Sequence, residues 1–204
     1  YFWRVDEAGD SGAYAGDIWS FTTEEFAVVD DFENYNDSDR CLYDAWIDGV
    51  TNGTGSYVGY ENSNNGTFGE TIIVHGGRQS MPISYDNAKP PYYSEARRTF
   101  DAAQDWTAHG ADTLSLFFQG ALDNSPESLY VTIKDNSKSA TRTHSDAAAT
   151  TIADWQQWKI PLSEFASAGV KMTSVKEMAI GVGNKTTGGT GRMLVKPSVG
   201  SGLR

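Results

Sequence analysis

The chain has 204 residues, enough for one large domain or two small ones, and a chain of this size can bury about 70% of its unfolded surface. Its 16 Lys and Arg against 27 Asp and Glu give a net charge of −11, which argues against nucleic acid or an anionic membrane as a partner. The single cysteine, Cys41, excludes an internal disulfide and a multi-cysteine zinc site. No apolar run is long enough to span a membrane.

Short alternating runs, bounded by Gly, Asn, Asp and Ser, recur along the chain and predict an all-β protein. Strands are predicted, in chain order, at 1–5, 18–22, 27–32, 45–50, 72–74, 80–85, 94–100, 113–119, 129–135, 156–161, 175–182 and 192–195. One turn of helix is predicted at 162–166. Many short strands with polar turns are typical of an antiparallel sandwich or barrel.

Two strands carry a clear face pattern, because successive side chains of a strand point to opposite faces. The side chains predicted to face the core are Leu114, Leu116 and Phe118 in one strand and Leu129, Val131 and Ile133 in the other. The opposite face then carries Ser115, Phe117 and Gln119, and Tyr130, Thr132 and Lys134. Aromatic rings and hydrogen-bonding groups therefore share a non-core face on both strands.

This face predicts a sugar-binding surface, since sugar binders combine aromatic platforms with planar or bidentate hydrogen-bonding groups. The two strands are expected to be neighbours, and segment 93–97 is expected to join them. The candidate ligand-binding residues are Tyr93, Arg97, Phe117, Gln119, Tyr130 and Thr132. The alternative is that these rings form ordinary cross-strand pairs or lie beneath loops.

Residues 1–23 resemble the last two strands of a fibronectin-type-III-like module of large bacterial surface and secreted proteins, through Tyr-Phe-Trp-Arg-Val-Asp-Glu and Gly-Asp-Ile-Trp-Ser-Phe-Thr-Thr. The chain starts in what is expected to be the middle of a strand, so it is expected to be a piece of a longer protein. An isolated two-stranded hairpin is marginally stable in water, so these strands are expected to dock on the rest of the chain or to be partly mobile.

Residues 24–204 resemble the calcium-containing jelly-roll carbohydrate-binding modules of multi-modular secreted bacterial proteins. The resemblance lies in the order of weak motifs at 29–35, 46–49, 52–55, 74–81, 93–97, 112–116, 158–162 and 180–183. It implies a jelly-roll-like antiparallel β-sandwich, secreted or at the cell surface, that acts as a monomer within a larger chain. The function implied is non-catalytic binding of polysaccharide.

The resemblance also implies one structural calcium ion, a cation that requires hard oxygen ligands. Asp31 and Glu33 would supply carboxylates, and the segment at Gly77 would supply carbonyls. The last strand departs from the related pattern, because it carries Lys196 where the pattern has aspartates. The alternative is that Asp30, Asp31 and Glu33 form a solvated start of a strand.

Two other functions stay open at this stage. One is a structural or adhesive spacer in a surface protein, since a sandwich fold hosts many roles. The other is a glycan-cleaving hydrolase or lyase, although the paired carboxylates of a jelly-roll hydrolase are not found on one strand. A lyase would draw on Tyr93, Arg97 and His75.

Overall fold

The computed structural model describes residues 2–9, 12–20, 26–27, 29–60 and 68–200, with no description of the side chains at 26–27 and 199–200. Its strands are β1 (Phe2–Trp3), β2 (Glu7–Gly9), β3 (Gly12–Tyr14), β4 (Trp19–Ser20), β5 (Phe26–Ala27), β6 (Trp46–Ile47), β7 (Ser56–Val58), β8 (Met81–Asp86), β9 (Tyr93–Gln104), β10 (Thr113–Gln119), β11 (Leu129–Lys134), β12 (Ser139–Thr143), β13 (Gln156–Pro161), β14 (Val175–Gly183) and β15 (Thr190–Gly200). Its α-helices are α1 (Leu42–Ala45), α2 (Gly49–Asn52) and α3 (Leu162–Ser167).

Two antiparallel sheets form a jelly-roll-like sandwich, as predicted. The six-stranded sheet has the order β13-β10-β15-β8-β7, with β5 paired to β15, and the five-stranded sheet has the order β12-β11-β14-β9-β6. The polypeptide changes sheet between β10 and β11 and between β14 and β15. In the described part of the chain, no helix has the length and apolarity needed to cross a membrane.

The core lies between the two sheets, and the strand alternation predicts it correctly. The core-facing side chains of β10 and β11 have no exposed surface, and they are Leu114, Leu116, Phe118, Leu129, Val131 and Ile133. Each such side chain contributes roughly 1.5–3 kcal/mol through its removal from water. This burial fixes which face of β10 and β11 is left for other roles.

The N-terminal residues form two small sheets of their own. Strand β1 pairs with β4, and β2 pairs with β3. The rings of Trp3 and Trp19 stack across the first of these sheets with centroids 6.1 Å apart. The pairing of segments near 1–5 and 18–22 agrees with the predicted strands, but the fibronectin-like assignment and its boundary at residue 23 stay predictions, since residues 1 and 21–25 lie outside the described residues.

Several predicted elements are wrong. Segment 72–74 is not a strand, and the predicted strand at 45–50 contains only β6 before α2 begins. Asp48 caps α2, because its Oδ1 accepts a hydrogen bond from the Val50 amide at 3.1 Å, and Gly53 ends the helix with a φ of +74°. Strand β12 was not predicted, whereas the helical turn at 162–166 is confirmed as α3.

The predicted strand at 27–32 ends early, and a tight turn follows it. Phe32 has a φ of +62°, and its amide donates to Oδ1 of Asp30 at 3.0 Å. Phe32 points into the core, where its side chain is fully buried. Asp30 is also buried, so the alternative of a solvated strand start is wrong for this residue.

Candidate functional site

The six candidate sugar-binding residues lie on two different sheets. Those on the five-stranded sheet are Tyr93, Arg97, Tyr130 and Thr132. The other two, Phe117 and Gln119, lie on β10 in the six-stranded sheet. The expectation that β10 and β11 are neighbours is wrong, because β10 pairs with β13 and β15 while β11 pairs with β12 and β14.

A groove with a volume of about 540 Å³ crosses the outer face of the five-stranded sheet. We call it the sheet groove, and its main side chains are Tyr93, Glu95, Arg97, Tyr130, Thr132 and Glu177. Residues of β12, among them Thr141 and Thr143, form one side, and the turn after β14, with Lys185, lies at its rim. The groove is open to solvent along its length, which suits an extended ligand.

The groove results from the sizes of side chains along β14, the middle strand. One row across the sheet contains Thr143, Tyr130, Gly181 and Glu95, and the next contains Thr141, Thr132, Ala179 and Arg97. The residue on β14 is the smallest in each row. The small residues of β14 therefore leave a shallow floor, over which side chains of β11 and β9 extend, and the groove crosses the strands from β12 to β9.

The ring of Tyr130 lies directly over Gly181. A Cβ at position 181 would be 2.0 Å from Cζ of Tyr130, so only glycine leaves room for the ring there. The Tyr130 hydroxyl donates to Oε2 of Glu95 at 3.1 Å. Burial and the Glu95 carboxylate raise the pKa of Tyr130, so its hydroxyl stays protonated and can donate this hydrogen bond.

Arg97 organises the carboxylates of the groove. Its Nη2 donates to Oε1 of Glu95 at 2.7 Å, and its Nε is 3.5 Å from Oε1 of Glu177. The hydrogen bond with Glu95 raises the pKa of the Arg97 guanidinium further above its ordinary value. Such partly exposed ion pairs add little stability, so their main effect is to fix the orientation of these groups.

The rim of the groove supplies a further aromatic ring and hydroxyl groups. The Lys185 ammonium lies 5.2 Å from the centroid of the Tyr93 ring, a cation–π contact. The hydroxyl oxygens of Thr132 and Thr141 are 2.7 Å apart and form a hydrogen bond in which either hydroxyl can donate. Aromatic faces, planar charged groups and hydroxyls are thus present together in the groove.

Several groove residues were missed by the sequence-based prediction. Glu95 alternates with Tyr93 and Arg97 on β9, so the strand period places it on their face and could have found it. Strand alternation could not identify Thr141, because β12 was not predicted. It could not identify Lys185 either, because this residue lies in a turn. Glu177 was inside a predicted strand whose face was not assigned.

Phe117 and Gln119 have partners on the outer face of the six-stranded sheet. The His75 ring stacks on Phe117 with centroids 3.7 Å apart and an angle of 17° between the planes, and Trp155 meets His75 edge-on at 5.4 Å. The Gln119 amide donates to the backbone carbonyl of Ala153. One face of Phe117 is therefore covered by the protein itself.

The stack on Phe117 predicts a loss of stability in acid. Burial lowers the pKa of His75, and the charge of Lys196 adds to this effect. The neutral, buried His75 ring contributes its full stabilisation above the pKa of an unfolded histidine, about 6.5. This stabilisation is lost as the pH falls from there through the lower pKa of His75 in the folded protein. Urea unfolding between pH 7.5 and 5 should show this loss of free energy of unfolding. In His75→Phe, the slope of the free energy of unfolding against pH should be smaller. An unchanged slope in His75→Phe would contradict the assignment.

Glu33, one of the residues assigned to calcium, is already paired with protein groups. Glu33 Oε1 lies 3.2 Å from the Lys196 ammonium, and both Glu33 oxygens accept from the Arg78 amide at 2.9 Å. Partial burial acts to raise the pKa of Glu33, but the hydrogen bonds from Arg78 and Lys196 outweigh it and hold the pKa below its ordinary value. Among the described residues, no group of three or more His, Cys, Asp or Glu side chains is arranged to hold a metal ion.

The fold of this chain is that of known carbohydrate-binding modules. A family 11 carbohydrate-binding module from Clostridium thermocellum, solved in complex with a β-1,3-1,4-mixed-linked tetrasaccharide, is 16% identical with a TM-score of 0.52, over 90% of this chain and 99% of that chain. A family 30 carbohydrate-binding module of a cellulosomal cellulase of Clostridium thermocellum is 13% identical with a TM-score of 0.53, over 74% and 94% of the two chains.

An exo-β-agarase also contains this fold, at 10% identity and a TM-score of 0.52, over 74% of this chain but 25% of that chain. No family model matches the chain, and no curated protein matches it. At such low identities these likenesses establish the carbohydrate-binding-module fold and leave the function to be argued from the groove.

Proposed function

We propose that this protein is a non-catalytic polysaccharide-binding module and that the sheet groove is its binding site. The observation that carries the proposal is the open groove itself, in which Tyr130, Glu95 and Arg97 are held together over a floor of small residues. The likeness to a module solved with a tetrasaccharide supports it. Phe117 and Gln119 are not part of this site.

The chemistry of the groove matches a sugar chain. A pyranose ring presents C–H groups to an aromatic face and hydroxyls at its edge, and Tyr130 and Tyr93 supply aromatic rings in the groove. The carboxylate of Glu95, the guanidinium of Arg97 and the hydroxyl of Thr132 then bind the hydroxyls. Because the groove crosses four strands at about 4.8 Å spacing, its length of roughly 14 Å suits several consecutive sugars.

We expect weak affinity. Each aromatic contact contributes on the order of 1 kcal/mol, and the hydrogen bonds to sugar hydroxyls replace hydrogen bonds to water, so dissociation constants in the micromolar to millimolar range follow. Affinity of this size is sufficient for a module that is covalently joined to an enzyme at the cell surface or outside the cell, because tethering raises the effective concentration of that enzyme at the glycan.

The test is calorimetric titration of the protein with a panel of soluble polysaccharides that includes mixed-linked β-glucan. At least one should bind with a dissociation constant in the expected range. Phe117→Ala is the matched control, because it removes an aromatic ring from the opposite sheet and should leave the dissociation constant unchanged.

Three results would contradict the proposal, the first two for the function and the third for the site. A protein that binds no member of the panel, and is not retained on insoluble glycans in a pull-down, would act as a structural spacer. New reducing ends or unsaturated products after long incubation would identify a glycan-cleaving enzyme. A loss of binding in Phe117→Ala, with the fold intact, would move the site to the six-stranded sheet.

A further inference from the structure

Lys196 lies where the resemblance to calcium-containing modules implies a metal ion. It is on the outer face of β15, and its Nζ is 2.8 Å from the carbonyl oxygen of Gly76 and 3.2 Å from Oε1 of Glu33. Its side chain is only 15% exposed. A positive charge therefore already sits between a carbonyl and a carboxylate, the kind of oxygen ligands that would hold calcium.

Three other oxygens of this cluster, on Glu33 and Asp31, also accept hydrogen bonds. The second oxygen of Glu33 accepts from Nε of Arg78 at 3.2 Å, and Nη2 of Arg78 donates to the Glu33 carbonyl at 3.1 Å. Oδ1 of Asp31 accepts from the Glu33 amide at 3.0 Å, which closes a local turn. Two acidic and two basic side chains balance each other here without a metal ion.

The available space also argues against a metal ion. A Cβ added to Gly77 would be 2.1 Å from Oε1 of Glu33 and 3.0 Å from Nζ of Lys196, so the groups pack closely at this point. Calcium requires six to eight oxygen ligands at about 2.3–2.6 Å. An ion bound to both Glu33 and the Gly76 carbonyl would meet the ammonium of Lys196 and be repelled by it. The residues present do not fit calcium.

We infer that the Lys196 ammonium is a built-in cation that takes the place of a structural calcium ion in this protein. It joins three segments, the turn at Glu33, the loop at Gly76 and strand β15, as a bound metal would. The loop it anchors also carries His75, which packs on Phe117. We therefore expect this site to need no calcium ion, because Lys196 supplies the cation, with Arg78 as the second positive charge on Glu33.

The test compares melting temperatures in EDTA and in millimolar calcium for three proteins. The wild type should melt at the same temperature in both. Lys196→Met should melt several degrees lower in EDTA and should recover in calcium, because the vacated site exposes the Glu33 carboxylate and the Gly76 carbonyl, and ligand binding to the folded state raises its stability.

Lys159→Met is the matched control, because Lys159 is an exposed lysine on the outer face of the same sheet. It should behave like the wild type in both conditions. A wild type that is stabilised by calcium would overturn the inference, and so would a Lys196→Met variant that melts like the control or gains nothing from calcium. None of these melting measurements uses polysaccharide, so they test this inference independently of the proposed function.

Discussion

Replacement of Tyr130 by alanine is expected to weaken polysaccharide binding by about 5–30-fold, which corresponds to about 1–2 kcal/mol. The ring crosses the floor of the sheet groove over Gly181 and forms its main apolar surface. Its loss also removes one of the two side-chain hydrogen bonds that position Glu95, so that Arg97 alone holds the carboxylate. Calorimetric titration of Tyr130→Ala against the best ligand of the panel measures the effect.

Tyr130→Phe separates the two contributions of the side chain. This variant keeps the ring and removes only the hydrogen bond to Glu95 at 3.1 Å, so its dissociation constant should lie between those of the wild type and Tyr130→Ala. Equal affinity in wild type and Tyr130→Ala, with unchanged melting temperature, would place the ligand elsewhere on the molecule.

The outward position of Tyr130 can be predicted from the sequence alone. Strict alternation in β10 and β11 predicts which side chains enter the core between the sheets, because a strand places successive residues on opposite faces. It does not predict the burial of Ser115, which is covered on the outer face. The outward direction of Tyr130, Thr132 and Phe117 follows from the same rule. Local periodicity is sufficient for this part of the fold.

The pairing of strands depends on contacts between distant segments, which periodicity does not encode. Phe117 and Tyr130 are separated by a short stretch of chain, yet that stretch crosses from one sheet to the other. The true neighbours of Tyr130 across the sheet are Thr143 and Gly181. Four of the six candidate residues nevertheless lie in one groove, because Tyr93 and Arg97 on β9 belong to the same sheet as β11.

Two local features, strand β12 and the turn at Phe32, are not predicted from the sequence, for physical reasons. Strand β12 reads Ser-Ala-Thr-Arg-Thr, and its only buried residue is Ala140, so an apolar alternation is absent. It forms because its backbone pairs with β11 at the edge of the sheet. The segment at 30–32 is predicted as the end of a strand, whereas the structure has a turn with φ of +62° at Phe32, with Asp30 buried and Glu33 beside Lys196.

Asp30 is a polar residue whose loss should destabilise the fold strongly. Its side chain is 6% exposed, and Oδ2 accepts hydrogen bonds from the Trp46 indole at 2.8 Å and the Tyr35 hydroxyl at 2.7 Å. The same oxygen contacts the Arg98 guanidinium. This cluster ties the turn after β5 to β6 and β9, two strands of the five-stranded sheet.

Asp30→Ala is therefore expected to lower the free energy of unfolding by about 3–5 kcal/mol, because it leaves a partly buried guanidinium, an indole N–H and a hydroxyl without their acceptor. Urea denaturation measures this loss. Asp86→Ala is the control, since its ion pair with Lys89 is exposed and should be worth about 1 kcal/mol or less. Similar losses in both variants would show that the cluster around Asp30 adds no more than a surface pair.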